Sequence, residues 1–310
     1  MYKSFFGLHA LPFRANPDPR FLCMTPQIRE ALACLQYGIA ERKGFVVMTG
    51  EVGTGKTTLL KSVLNWFPSQ RVSTAFVFNP RLDVLDFLEF VLTDFGIPPK
   101  ERTKSGMLLQ LNQWLIGRFR EHGLCVIVID EAQNLSMDLL EEIRLLTNLE
   151  TSSEKLLQIV LSGQPELEGI LRQPSLRQLR QRISLWCKTQ PLTAEQTIEY
   201  ITERLRIAGA HESVMPPDAM ESVHHFSKGI PRVINLICEH ALINAYVEQI
   251  KPIPARIIES IGLEFDLEYQ PFLISPMAQS GLDDRILSRA KFDTTDTIAD
   301  STAPLKDPQI

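Results

Sequence analysis

A glycine-rich segment with one lysine is the part of this sequence best suited to chemistry. It reads Gly50-Glu51-Val52-Gly53-Thr54-Gly55-Lys56-Thr57, with Thr58 next, and it fits the pattern G-x-x-x-x-G-K-[ST]. Glycines let successive backbone N–H groups point at an anion, and the helix that follows adds its positive end. We therefore predict that residues 50–58 bind the triphosphate of ATP, with Lys56 at the β and γ phosphates and the Thr57 hydroxyl on Mg²⁺. A turn that only joins a strand to a helix is the alternative.

Two adjacent carboxylates complete this predicted machinery. Asp130 and Glu131 come directly after the apolar run CVIVI. We expect Asp130 to hold Mg²⁺ through water, and Glu131 to orient and deprotonate the attacking water. The same pair could be an ordinary solvated turn at the end of a strand. Beside a phosphate loop it favours hydrolysis, so the predicted activity is that of an ATPase with ATP and Mg²⁺ as cofactors.

Both motifs follow apolar runs of strand length, and such runs recur along the chain. They cover residues 45–49, 73–78, 125–129, 156–161 and 185–189. Amphipathic stretches lie between them, most clearly at 136–149, where leucines and Ile143 share one face. This alternation predicts an α/β P-loop NTPase fold with a five-stranded parallel sheet and flanking helices.

The strand pattern ends near residue 190, and the rest of the chain has a different character. Helices are predicted at 194–208, 217–226, 231–248 and 254–262, which indicates a small all-helical lid domain. The first 25 residues combine prolines with Phe5, Phe6, Phe13 and Phe21, which predicts an ordered extended arm. Beyond residue 265 few large apolar residues remain, which predicts disorder apart from a short docking segment at 269–274. The expected segments are the arm 1–25, the ATP-binding α/β domain 26–190, the helical lid domain 191–265 and a disordered acidic tail 266–310.

Composition limits the class of protein. The chain has 310 residues, 44% of them hydrophobic and 22% charged, as in a globular protein. No apolar run reaches membrane-spanning length, and the five cysteines lack metal-ligand spacing, so we expect free thiols in the cytoplasm. The formal net charge is -5, and residues 263–310 account for it with nine acidic and four basic side chains. The near-neutral remainder argues against a strongly basic nucleic-acid-binding protein.

Longer strings around these motifs resemble one family, the ExeA or GspA type ATPases of the general secretion pathway, with related ATPases found beside exopolysaccharide and exosortase loci. The resemblance covers about residues 1–262, in FFGLHALPFRANPDPRFL, GFVVMTGEVGTGKTT, VIDEAQNLS, LEEIRLLTNLET, KLLQIVLSGQPEL, LRQLRQRI and GIPRVINLICEHAL. It implies an AAA+ core that oligomerises as a ring or filament and uses ATP to assemble or remodel an envelope-spanning machine.

AAA+ proteins also close their site with residues beyond the two motifs, and this sequence offers candidates. Ser162 and Gln164 follow the apolar core of one strand, and either is a candidate contact for the γ-phosphate or the water, with simple turn chemistry as the alternative. Arg232 opens a helix of the lid and is expected to reach back to the nucleotide, unless it is only an exposed helix start. The aromatic arm, through Phe13 or Phe21, is expected either to cover the adenine or to pack on the lid.

A run of arginines is the candidate for the residue that one subunit supplies to the next. Eleven residues without an acid contain Arg172, Arg177, Arg180 and Arg182. The natural anionic partner in an ATPase is a neighbouring subunit's triphosphate, where an arginine stabilises the charge of the transition state. Arg180 and Arg182 are preferred, with a solvated helix face and a nucleic-acid contact as alternatives.

The resemblance also implies partners and a location. In the secretion members a membrane span and a peptidoglycan-binding domain follow the ATPase, whereas here only the acidic tail does. We therefore expect a cytoplasmic homo-oligomer that serves a secretion or envelope complex from the cytoplasmic face, peripheral at the inner membrane through a partner. The same core resembles ATPases that regulate transposition, so a DNA-bound target selector is the alternative function. A nucleotide-gated scaffold without hydrolysis is a third.

Overall fold

The computed structural model describes residues 1–14, 18–68, 71–78 and 80–267. Its five strands are β1 Phe45–Gly50, β2 Val72–Val77, β3 Leu124–Ile129, β4 Gln158–Gly163 and β5 Leu185–Thr189. All neighbouring strands run parallel, in the order β2-β3-β4-β1-β5. The predicted five-stranded parallel sheet is therefore confirmed, and β3 lies next to β4.

Helices surround this sheet and follow it. Those before and between the strands are α1 Tyr2–Phe5, α2 Pro26–Ala40, α3 Lys56–Trp66, α4 Val84–Asp94, α5 Lys104–Arg120, α6 Met137–Leu146, α7 Glu166–Leu171 and α8 Arg177–Arg180. After the last strand come α9 Ala194–Ile207, α10 Pro217–Ser227, α11 Pro231–Glu248 and α12 Ala255–Glu264. The helical C-terminal part agrees with the prediction to within two residues at each helix end. None of the described helices is both long and apolar enough to span a bilayer.

The three central strands β1, β3 and β4 are buried on both faces of the sheet, which explains their continuous apolar runs. In β1, Phe45 and Val47 join one hydrophobic core, and Val46 and Met48 join the core on the other face. Helices that cover both faces of a parallel sheet require apolar side chains at successive positions. This arrangement leaves the carboxyl ends of the strands as the edge that can present polar groups.

One predicted strand begins two residues too early. Leu156 and Leu157 are buried, but β4 starts only at Gln158. The first residue of the strand is therefore the polar Gln158. Its Oε1 atom accepts a hydrogen bond of 2.8 Å from the Gly44 backbone N–H. Burial outside the sheet therefore produced the same apolar pattern as a strand.

The sequence predicts an extended N-terminal segment, but parts of this segment are helical. It contains α1 and a short 3-10 helix at Pro19–Phe21, and Phe6, Phe13 and Phe21 are buried among the helices that follow the sheet. The aromatic rings anchor the segment as predicted, but burying them in one compact core favours turns over a straight arm. The predicted boundaries at 25/26 and 190/191 stay predictions, and nearly all of the predicted acidic tail, with the docking segment 269–274, lies outside the described residues.

The helical part is tied to the N-terminal segment by a buried arginine. The Arg204 guanidinium donates to the Pro12 carbonyl at 2.6 Å and to the Tyr200 hydroxyl at 2.7 Å. It also lies 4.8 Å from the ring centroid of Phe21 and 5.9 Å from that of Phe13. Neutral acceptors and aromatic faces together solvate this buried cation.

Candidate nucleotide site

The phosphate loop lies at the carboxyl end of β1, directly before α3. Gly53 and Gly55 have positive φ angles of 82° and 96°, which glycine adopts without strain. Gly55 occupies the position before α3, whose first residue is Lys56. The loop therefore leads straight into a helix N-terminus, where unpaired N–H groups and the helix dipole favour an anion.

Lys56 is held inside this loop. Only 7% of its surface is exposed, and its Nζ donates to the carbonyls of Gly50 at 2.7 Å and Glu51 at 2.9 Å. Burial lowers the pKa of Lys56, and the nearby negative charges of Glu131 and Asp130 oppose that shift. An ammonium group has three donors, so one N–H remains available to an anion besides the two carbonyls.

Three oxygen-bearing side chains meet near the carboxyl ends of β3 and β4 and the start of α3. The Thr57 hydroxyl donates to Asp130 Oδ2 at 2.8 Å, and the Ser162 hydroxyl donates to Asp130 Oδ1 at 2.8 Å. Ser162 is fully buried, so it orients the Asp130 carboxylate from within the protein. Hydroxyl and carboxylate oxygens are the ligands that Mg²⁺ accepts, usually from only one or two side chains together with phosphate and water.

Glu131 follows Asp130, and its carboxylate accepts hydrogen bonds from two side-chain amides. Its Oε2 accepts from Gln133 Nε2 at 2.6 Å and from Gln164 Nε2 at 3.2 Å. Burial raises the pKa of Glu131, but the two amide donors and the charge of Lys56 outweigh it, so the pKa lies below the ordinary glutamate value. The carboxylate is therefore ionised at neutral pH.

The structure separates the two residues between which the sequence left a choice. Ser162 contacts Asp130, whereas Gln164 contacts Glu131. Gln133 is the site residue that the sequence analysis missed. It lies two positions after Glu131 in the string DEAQ, and a polar residue so close to a predicted base was the available signal.

The helices after the sheet contact the phosphate loop directly. The Arg232 backbone N–H, at the start of α11, donates to the Gly53 carbonyl at 3.1 Å. The Arg232 side chain is exposed. The structure thus brings this arginine to the phosphate loop although 179 positions separate the two residues.

The arginine run lies on the surface. Arg177, Arg180 and Arg182 are exposed, and within the described part of the chain no hydrogen bond or ion pair links them to the phosphate loop. Arg172 lies 3.5 Å from Glu168 in an ion pair. The positive charge of Arg182 helps to lower the pKa of Glu150, after the larger effect of Lys155. An exposed position suits an arginine that acts on another molecule.

For the aromatic residues of the N-terminal segment, the structure favours packing. Phe13 is 2% exposed and Phe21 is 5% exposed, and both face Arg204. Their rings are therefore already covered by protein rather than presented to an adenine.

Comparisons with known proteins agree with this geometry. Residues 39–171 match the family described as "AAA domain". The fold resembles that of the Aeropyrum pernix ORC2 protein in its ADPNP-ADP complexes, with a TM-score of 0.60 and 16% identity over 83% of this chain and 75% of that chain. It also resembles the Aeropyrum pernix ORC1 protein in complex with DNA, with a TM-score of 0.62 and 17% identity over 82% of this chain and 69% of that chain.

Together, the sheet order, the phosphate loop and the matched domain define this chain as an AAA+ P-loop ATPase. Its sequence is 43% identical over 247 residues to General secretion pathway protein A of Aeromonas hydrophila, which confirms the resemblance inferred from the motifs. The similarity covers 79% of this chain and 45% of that relative, so the chain spans less than half of the relative's length.

Proposed function

We propose that this ATPase binds ATP with Mg²⁺ between subunits of a homo-oligomer and uses hydrolysis to assemble or remodel a secretion or cell-envelope complex. The observation that carries the chemistry is the contact of 2.8 Å between the Thr57 hydroxyl and the Asp130 carboxylate, beside the buried Lys56. The similarity to General secretion pathway protein A supports the pathway. The proposed location is the cytoplasmic face of the inner membrane, reached through a partner.

Each proposed role follows from the chemistry of the side chain. Lys56 and the amides at the start of α3 neutralise the charge of a triphosphate. Thr57 and Asp130 are the oxygen donors for Mg²⁺, which supplies charge neutralisation at the phosphates when bound. Glu131 is ionised and has one carboxylate oxygen, Oε1, besides the one that the amides hold, so it can accept a proton from water.

The subunit interface is proposed from the arginine run. An exposed arginine such as Arg180 or Arg182 contributes transition-state stabilisation only if another copy's triphosphate approaches it. Arg232 in turn connects the position of the C-terminal helices to the phosphate loop through Gly53. A monomer is therefore expected to hydrolyse ATP slowly, and turnover per chain is expected to rise with protein concentration.

Two substitutions test this function. Lys56→Ala removes the buried ammonium and is expected to abolish ATP binding measured by calorimetry with Mg²⁺. Glu131→Gln keeps the shape but loses the base, so it is expected to bind ATP normally while turnover falls at least about a hundredfold. Matched controls are Lys61→Ala, on the same helix as Lys56, and Glu41→Gln, at the C-terminal end of α2. Normal turnover in either site variant would contradict the assignment.

The pathway is tested by trapping the ATP-bound form. Glu131→Gln protein with ATP is expected to recover secretion or envelope components from a membrane fraction, whereas Lys56→Ala is expected to recover none. A gel-shift assay covers the DNA alternative. Tight duplex binding that requires ATP at moderate salt would replace the secretion proposal with a DNA-bound target selector.

A further inference from the structure

Gln133 occupies a position between the predicted base and the neighbouring strand. Its side-chain Nε2 donates to Glu131 Oε2 at 2.6 Å, while its Oε1 accepts the Gln164 backbone N–H at 3.1 Å. Gln133 lies in a 3-10 helix at Ala132–Asn134, and Gln164 follows β4. One side chain thus spans from the end of β4 to the carboxylate of Glu131 and uses both ends of its amide.

The backbone and the side chain of Glu131 are held by different hydrogen bonds. Glu131 has a φ of 53°, a left-handed conformation that a non-glycine residue adopts only at a cost. Backbone hydrogen bonds hold part of it, since the Glu131 N–H donates to Asp130 Oδ1 at 3.1 Å and the Asn134 N–H donates to the Glu131 carbonyl at 2.9 Å. Neither bond restrains the Glu131 side chain, which is held by Gln133 and Gln164.

The last residue of β4 leaves room for the Gln133 amide. A Cβ atom at Gly163 would lie 2.9 Å from Gln133 Oε1, closer than side-chain atoms normally approach. A larger residue there would press on the amide that contacts Glu131 and on Leu167, whose Cδ2 would lie 2.8 Å from the added Cβ. Two positions 30 apart in the sequence therefore fit together around one hydrogen-bonded side chain.

We propose that Gln133 is a positioning residue for hydrolysis, which sets the orientation of the Glu131 carboxylate by holding Oε2 and so presents Oε1 to the attacking water. This inference rests on the proposed ATPase function and deepens it. Gln133 itself touches neither nucleotide nor metal in this scheme. Through the Gln164 N–H it also makes the orientation of the base depend on the end of β4, from which α7 and the arginine run continue.

The test replaces the amide without changing its bulk. Gln133→Met keeps the chain length and removes both hydrogen bonds, and we expect kcat to fall about tenfold to a hundredfold with the Kd for ATP within about twofold of wild type. Gln133→Glu retains an acceptor for the Gln164 N–H but no donor at neutral pH, and it serves if the methionine variant is unstable.

A second background separates positioning from a structural role. In Glu131→Gln protein, measured by single turnover with radiolabelled ATP, adding Gln133→Met is expected to change the residual rate by less than about twofold, because the oriented base is already gone. An equal loss of rate in both backgrounds, or an unchanged kcat in Gln133→Met alone, would overturn the proposal. If Glu131→Gln alone retained full turnover, the proposed function itself would fail, and this result is distinct from either outcome for Gln133.

Discussion

Among the glycines in the described part of the chain, Gly229 has the shortest contact for an added Cβ atom, and replacing it with alanine offers a sharp test of how the C-terminal helices are attached. A Cβ atom at Gly229 would lie 1.9 Å from the Leu192 carbonyl oxygen. The residue also has a φ of 75°, in the left-handed region. The added Cβ atom would meet a backbone oxygen, so no side chain can rotate away to make room for it.

The expected loss of stability follows from these two features. Left-handed backbone costs a residue with a Cβ atom about 1–2 kcal/mol. Relief of the clash moves the chains apart and breaks the hydrogen bond of 2.8 Å from the Leu192 N–H to the Gly229 carbonyl. Leaving that buried pair unsatisfied costs about 1–3 kcal/mol. We therefore expect Gly229→Ala to lower the free energy of unfolding by about 2–5 kcal/mol in total.

Urea denaturation followed by circular dichroism measures this loss. With a slope of about 3 kcal/mol/M, the midpoint should fall by about 1 M. Gly117→Ala is the matched control, because Gly117 lies in α5 with nothing within 4 Å of its added Cβ, and alanine is the better helix former. It should leave the midpoint unchanged or raise it. Of these two variants, only Gly229→Ala should lower ATP affinity, because Arg232, three residues after Gly229, donates its backbone N–H to Gly53 in the phosphate loop. A Gly229→Ala midpoint equal to that of wild type would refute the steric reasoning.

Two further predictions concern the buried arginine and the response to pH. Arg204→Leu leaves the Pro12 carbonyl without its donor, so it should lower the free energy of unfolding by about 2–4 kcal/mol in urea melts and expose the N-terminal segment to protease, whereas Arg206→Leu on the surface should do neither. Because the pKa of Glu131 is lower in the folded protein than the value of about 4.3 in the unfolded chain, its ionised carboxylate contributes fully to the folded state above about pH 4.3. This contribution to stability is lost only as the pH falls through the lower pKa of the folded protein. Burial lowers the pKa of Lys56, so this lysine loses its proton at a lower pH than an ordinary lysine does. ATP affinity measured by calorimetry should therefore begin to fall, as the pH is raised, before the pH reaches the ordinary lysine pKa of about 10.4. Acid-sensitive turnover near pH 6, or full affinity above pH 10.4, would contradict these assignments.

Local chemistry was readable from the sequence because it depends on neighbouring residues. The phosphate loop needs glycines, a lysine and a threonine within one turn of chain, and the strands before it and before Asp130 needed only continuous apolar residues. Their bounds were predicted to within two residues. The one clear error of conformation, the extended N-terminal arm, arose because aromatic residues and prolines indicate burial but do not specify the turns that achieve it.

The surroundings of the site could not be read in the same way, because they join residues far apart in the chain. The choice between Ser162 and Gln164, the part played by Gln133, and the contact of Arg232 with Gly53 all depend on which elements lie side by side. By itself the sequence determined that a phosphate loop and an acidic pair end two strands of a parallel sheet. Only the tertiary structure decided which polar groups meet them, since strand order and helix packing are set by the burial of whole faces rather than by any local pattern.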